Sequence, residues 1–339
     1  MLRLGILAAD EYLRSRENRA LLANGYEVRD FGDWEAYTPK KLLARCRSVE
    51  VLLTGRESPM LPPALARGFG RLRYLCHLHG TIRHLVPKRL IEAGLVVTNW
   101  GDNVWHVAEG AMALLLSQLK QLTALSQHTK GGPNWCVYQA YRPSLKGRDV
   151  GLYGFGPVGR HMAGLLRPFG AKVAVYDPYA KRLPRWIRRC GTLRDLFATC
   201  QAVSIHCGLN AQTRGSVTRD LLELLPQGGL LINTARGAIV QEEALADLVG
   251  ARRLIAGIDV IQDETDWPGS PLAPHGGAIL TQHHVGGAAG SGTTDQWRQS
   301  LEYSTWRQVP RHALRNLEAF RRGKPLRYIV TAEVYDLKT

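Results

Sequence analysis

No stretch of this 339-residue chain stays apolar for the roughly 18 residues that a membrane span requires. No low-complexity tract interrupts it, and 45% hydrophobic with 22% charged residues is the make-up of an ordinary globular protein. The six cysteines, at 46, 76, 136, 190, 200 and 207, include no Cys-x-x-Cys pair. Histidine shows no paired ligand spacing either, which argues against a zinc site. The first ten residues carry Arg3 and turn acidic at Asp10 without a long apolar core, so they read as a strand and not as a secretory signal. The cysteines then read as buried thiols of a cytoplasmic protein. Acid is scarce: 29 Asp and Glu stand against 44 Lys and Arg, a formal net charge of +15. The densest basic run, Lys181 to Arg189, has no nucleic-acid-binding signature beside it. The charge is therefore read as steering small anions, with nucleic acid not expected.

The length favours two domains. In the first hundred residues, strand-like runs Leu2–Leu7, Tyr26–Phe31, Val49–Thr54 and Leu72–Cys76 alternate with helical stretches at Glu17–Asn24 and Pro62–Arg67. That βαβ rhythm predicts a parallel sheet with helices on its faces. A long helix is predicted from Val104 through Leu119, because Ala108, Ala111, Leu114, Leu115 and Leu119 recur at helical spacing. Gly131–Trp135 reads as an irregular connection.

A sharper signal follows. The strand Asp149–Tyr153 runs into Gly154-Phe155-Gly156-Pro157-Val158-Gly159, then a helix through Leu166, then the strand Lys172–Tyr176 ending at Asp177. A lone G-x-G-x-x-G means little, but here strand, turn, helix and acid stand in the required order. The glycines permit a tight turn, close approach of backbone amides to a pyrophosphate, and close helix–strand packing. Asp177 lies where a carboxylate accepts hydrogen bonds from an adenosine ribose diol and repels a 2′-phosphate, which favours NAD. Lys181 and Arg182 soften that preference.

Downstream, Leu231–Val240 (Asn233-Thr234-Ala235-Arg236-Gly237 at its centre), Ala256–Val260 and His284-Val285-Gly286-Gly287 closely resemble the D-isomer-specific 2-hydroxyacid dehydrogenases. Val107-Ala108-Glu109, His206 with Gln212–Gly215, and the tail Asn316–Leu326 add supporting matches. The resemblance implies an NAD-dependent enzyme interconverting a small 2-keto acid and a D-2-hydroxy acid, with Arg, Glu and His as its catalytic set. It implies His284 as general acid/base, Glu264 as its partner and Arg236 as the fork holding the substrate carboxylate. Two ambiguities stand: His283 adjoins His284, and Glu264 shares its loop with Asp263 and Asp266. The family's usual Pro before the histidine is missing, with Gln282 and His283 in its place. Cofactor contacts are implied at the Gly154–Gly159 turn, Asp177, His206, Thr234, Ala235, Asp259 and Gly286. Substrate contacts are implied at the His79-Gly80-Thr81 turn, with His77, His79 and His84 where a Gly-Val-Asp run is usual. Arg56–Pro59 is a second candidate for that cleft.

The implied fold is α/β with two doubly wound parallel-sheet domains. A Rossmann domain (residues 100–287) is inserted in a flavodoxin-like substrate domain formed by 1–99 and 288–339, with hinges at the two crossings and a homodimer as the assembly. An alternative of another class is a dinucleotide-sensing, corepressor-like interaction protein on the same fold, kept open by the charge of +15.

Overall fold

Two parallel sheets, each coming from alternating apolar strands and amphipathic helices, organise the computed structural model. It describes residues 1–8, 13, 15–101, 104–130, 143–286 and 309–336. The chain divides into a unit of Met1–Asn103 with Ala289–Thr339 and a second unit of Val104–Ala288. The crossing segments 102–103 and 287–308, with the expected irregular stretch 131–135, Cys136 and Gly287, lie outside the described residues.

In the first unit, β1 (Leu2–Leu7), β2 (Tyr26–Asp30), β3 (Val51–Thr54), β4 (Tyr74–His77) and β5 (Val96–Thr98) form a parallel sheet ordered β2-β1-β3-β4-β5. This is the flavodoxin-like order. Strands β3 and β4 are buried along their whole length, which explains their unbroken apolar character. The C-terminal segment completes this unit. Tyr26 donates its hydroxyl to the Leu317 carbonyl at 2.7 Å, and Asn316 clasps Arg327 through both its side-chain atoms. The stretch expected as a helix at Pro62–Arg67 is a tighter 3-10 turn, Pro63–Arg67, which ends at Gly68.

In the second unit, β6 (Asp149–Tyr153), β7 (Lys172–Tyr176), β8 (Arg188–Arg189), β9 (Ala202–Ile205), β10 (Gly229–Asn233), β11 (Leu254–Ile258) and β12 (Ala278–Leu280) are all parallel. Their order is β12-β11-β10-β9-β6-β7-β8. One face buries the helices Trp105–Lys120 and Pro157–Leu166 in a core that includes Ala111, Leu115, Met162 and Leu166. The other face packs Leu193–Thr199 and Glu242–Gly250 through Phe197, Leu245 and Val249. Burial on both faces is what holds a parallel sheet together. Strand order reverses between β6 and β9, and the crevice at their carboxyl ends is where such sheets take ligands.

Candidate functional site

Every site residue expected in the second unit follows the carboxyl end of a strand. After β6, Gly154 has φ +102°, a conformation that L side chains rarely adopt. A Cβ on Gly154 would fall 2.6 Å from the Cys207 nitrogen, and one on Gly159 would fall 2.3 Å from the Gly154 carbonyl oxygen. By contrast, a Cβ on Gly156 would meet nothing within 4 Å, so that glycine faces open space. Gly156 caps the helix, with Pro157 and Val158 in its first turn, and no side chain caps that end. The turn therefore offers backbone amides and the positive end of a helix dipole to an anion.

Asp177, at the end of β7, brackets this turn. Its Oδ2 accepts from Phe155 N at 2.7 Å, while Oδ1 accepts from Tyr179 N at 2.8 Å and Ala180 N at 3.1 Å. After β9, His206 Nε2 lies 2.9 Å from Ser204 Oγ, and burial pushes its imidazole down to about 3. Its Nδ1 and the Thr234 Oγ1 after β10 are buried polar atoms with no hydrogen-bond partner among the described residues. Buried polar groups are ordinarily paired. Two such atoms at the same sheet edge as the glycine turn fit a dinucleotide laid across β6, β9 and β10.

The turn after β10 is held by Asn233. Its Nδ2 donates to the Arg236 carbonyl at 3.0 Å and its Oδ1 accepts from Ala235 N at 3.0 Å. Arg236 is half-buried and donates from Nη1 to the Ala235 carbonyl at 2.6 Å. Gly237 packs against backbone: a Cβ there would fall 2.0 Å from the Ile261 carbonyl.

Asp259 follows β11 and is buried, and burial raises its carboxyl above the ordinary range. Its Oδ1 accepts from Thr281 Oγ1 at 2.6 Å and Val285 N at 3.0 Å, so it fastens both ends of the histidine segment. The resemblance implies that Glu264 pairs with His284, and in the structure the neighbouring ring engages its carboxylate. Glu264 Oε2 lies 2.8 Å from His283 Nδ1. The physical reason is local backbone. Gln282 and His283 both have positive φ, +49° and +59°, so the residue that stands where the family has proline is taken up in a left-handed turn. That turn delivers the ring of His283 to the Glu264 loop. Gly286 and the helix Trp105–Lys120 close the other side. Cβ atoms built on Gly286 and Gly110 would fall 3.2 Å from Val107 and 2.5 Å from the Val285 carbonyl, respectively.

Glu242, which the sequence reading passed over, is buried at the start of its helix. Its Oε2 accepts from Gln262 N at 2.6 Å and its Oε1 from Ser270 Oγ at 2.5 Å. An acid in a first helical turn reads as a dipole partner, and nothing in the sequence indicates that it reaches a loop twenty residues on.

In the first unit, the His79-Gly80-Thr81 turn follows β4. Asn99 Nδ2 donates to the Gly80 carbonyl at 2.6 Å, Trp100 N to the His79 carbonyl at 3.0 Å, and a Cβ on Gly80 would strike the Trp100 indole at 2.6 Å. Beneath it, His77 is fully buried, with Nδ1 3.0 Å from Thr54 Oγ1, and burial pushes its imidazole down to about 3. His84 Nε2 lies 3.0 Å from the Arg56 carbonyl oxygen, which joins the two loops expected to contact substrate. Among the described residues no group of three or more His, Cys, Asp and Glu side chains could hold a metal ion. No described helix is long and apolar enough to cross a membrane.

Comparison with known proteins bears on this arrangement. The family model described as D-isomer specific 2-hydroxyacid dehydrogenase, NAD binding domain, matches residues 112–285. D-3-phosphoglycerate dehydrogenase of Mycobacterium tuberculosis (strain ATCC 25618 / H37Rv) is 34% identical over 200 residues, 56% of this chain. The match spans 36% of that relative's length. Glyoxylate reductase of Aeropyrum pernix is 26% identical over 333 residues, covering 94% of this chain and 93% of its own. The solved NADPH-dependent glyoxylate/hydroxypyruvate reductase of Sinorhizobium meliloti, in complex with citrate, has a TM-score of 0.73 at 24% identity. It covers 100% of this chain and 99% of its own, a likeness of fold.

Proposed function

This chain belongs to the D-isomer specific 2-hydroxyacid dehydrogenase family and carries its NAD-binding domain, and from that premise we propose that it interconverts a small 2-keto acid and a D-2-hydroxy acid. The observation that carries the reading is the His283–Glu264 pair at 2.8 Å, at the same sheet edge as the Arg236 turn and the glycine turn. The bound nicotinamide supplies hydride to the carbonyl carbon, or accepts it in the reverse direction.

The chain's own residues supply the rest. Glu264 engages His283 through Nδ1, which fixes the ring and leaves Nε2 as the nitrogen that hands a proton to the carbonyl oxygen. The Glu264 carboxylate balances the charge of the ring when it is protonated. Arg236 presents a planar fork suited to a carboxylate and a neighbouring carbonyl oxygen. Gly154–Gly159 hold the pyrophosphate, and His206, Thr234, Ala235, Asp259 and Gly286 line the path toward the nicotinamide. His206 stays neutral at physiological pH, so it serves as a hydrogen-bonding group and not as a fixed charge. Asp177 favours NAD, because a 2′-phosphate beside its carboxylate would meet like charge. The first unit is the substrate domain in this reading, with His79, Gly80 and Thr81 as its carboxylate-binding turn, and the assembly is a homodimer.

A panel of small 2-keto acids, glyoxylate and hydroxypyruvate among them, incubated with NADH and the full chain tests the proposal. NADH oxidation with at least one acid, yielding the D-hydroxy product, is the expected outcome. Tight NADH binding with no oxidation by any acid would contradict it.

A further inference from the structure

Glu242 is a buried carboxylate that the proposed chemistry does not use, and its two hydrogen bonds grip both ends of the loop that carries Glu264. Gln262 N, two residues before Glu264, donates to Oε2 at 2.6 Å, and Ser270 Oγ, six residues after it, donates to Oε1 at 2.5 Å. Ser270 Oγ also accepts from Leu272 N at 3.3 Å, which continues the grip into the following turn. The loop's own start is pressed against Gly237, the residue after Arg236, where even a methyl group would collide with the Ile261 backbone.

An acid buried to 5% exposure is costly unless its oxygens are satisfied. Here they are satisfied by one backbone amide and one hydroxyl, at the N-terminus of the helix Glu242–Gly250, where the helix dipole favours negative charge. Glu264 itself is exposed and, with Asp263 and Asp266, sits in a polar stretch. Asp263 accepts from Thr265 within the loop, and Asp266 from Gly269, so neither ties Glu264 to the rest of the unit. Asp259 acts from the other side, holding Thr281 and Val285.

We propose that Glu242 is the positioning residue of this site: by clasping Gln262 and Ser270 it sets the Glu264 carboxylate against His283 and in register with the Arg236 turn. The inference rests on the reading of His283 and Glu264 as the proton-transfer pair. It has a readout that does not depend on turnover. When Glu264 accepts from Nδ1–H, His283 is held in the Nδ1-protonated tautomer, which nitrogen chemical shifts of ¹⁵N-histidine-labelled protein report.

Glu242→Gln keeps the size of the side chain but can accept at only one of its two terminal atoms. The full chain with Glu242→Gln is expected to show His283 moving from the Nδ1–H tautomer to a mixture, as Glu264→Gln should do more completely. With a 2-keto acid, kcat should fall roughly ten- to a hundred-fold from a small misplacement, with KM for NADH nearly unchanged. Ser270→Ala removes a single contact and should give an intermediate shift, which keeps the test open if Glu242→Gln folds poorly. If Glu264→Gln alters the tautomer while Glu242→Gln and Ser270→Ala leave it as in the parent, Glu242 has no positioning role. If Glu264→Gln itself changes nothing, the pair is absent and the inference falls with it.

Discussion

Three histidines, fully buried at 77 and half-buried at 206 and 312, should make the stability of this chain depend on acid. Burial holds His77 and His206 down to about 3 and His312 down to about 4, against 6.5 for the free ring. In the unfolded chain all three take up protons as pH falls through about 6.5, while in the folded chain they stay neutral. The unfolded state therefore binds more protons over that window, and stability present above 6.5 is lost on the way down. Each ring contributes a slope of at most about 1.4 kcal/mol per pH unit. Urea midpoints should fall clearly between about pH 7.5 and about pH 5, and His206→Asn should flatten part of the fall. Equal midpoints at the two pH values would contradict the burial argument. At the same scale, Asp177→Asn keeps one acceptor oxygen where three backbone amides need satisfying. NADH affinity should weaken roughly ten-fold and the preference over NADPH should shrink, both read by calorimetric titration. An unchanged ratio would count against Asp177 as the discriminating residue.

The elements were legible where burial dictated their composition and illegible where a backbone contact did. Strands β6 and β7 have the bounds expected from sequence, Asp149–Tyr153 and Lys172–Tyr176, because parallel strands buried on both faces are unbroken apolar runs. The helix Trp105–Lys120 lies within a residue of its expected span, since its apolar positions face one core. Strand β8 was not legible: Arg188 and Arg189 pair with Ala174 and Val175 through main-chain atoms at a sheet edge, and their side chains say only that the edge is exposed. The choice between His283 and His284 as the ring facing Glu264 stayed open in the sequence for a similar reason. Positive φ at two non-glycine residues decides which ring turns toward it, and residue type alone does not encode that choice. Glycines sharpen the point into a prediction. Gly237→Ala would force a methyl against backbone atoms that cannot swing aside, costing about 2 kcal/mol or more of stability and displacing the loop of Glu264. Gly156→Ala would meet no protein atom, so the melting temperature should hold while NADH affinity falls. If Gly156→Ala binds NADH as the parent does, that glycine does not face the pyrophosphate.

Across the molecule, Lys and Arg outnumber Asp and Glu by 15. The described ion pairs Arg19–Asp30, Arg71–Glu50, Lys88–Asp336 and Arg219–Asp247 lie at or near the surface, where each contributes little. A basic molecule whose proposed ligands are a dinucleotide and a carboxylate gains from long-range attraction. Raising ionic strength from about 0.05 M to about 0.5 M should raise KM for the keto acid several-fold and leave kcat nearly constant. A KM indifferent to salt would assign the charge no part in ligand capture.

In the proposed chemistry the pairing of His283 with Glu264 carries the proton transfer, and His284 next to it makes the claim easy to break. Single-turnover reduction of a 2-keto acid by enzyme-bound NADH, in parallel for the parent, His283→Asn and His284→Asn, isolates the proton-transfer step from cofactor binding. His283→Asn should slow that step by a factor of roughly a hundred or more with NADH affinity preserved, and His284→Asn should retain most of the parent's rate. The reverse pattern, with His284→Asn inactive and His283→Asn close to the parent, would overturn the assignment.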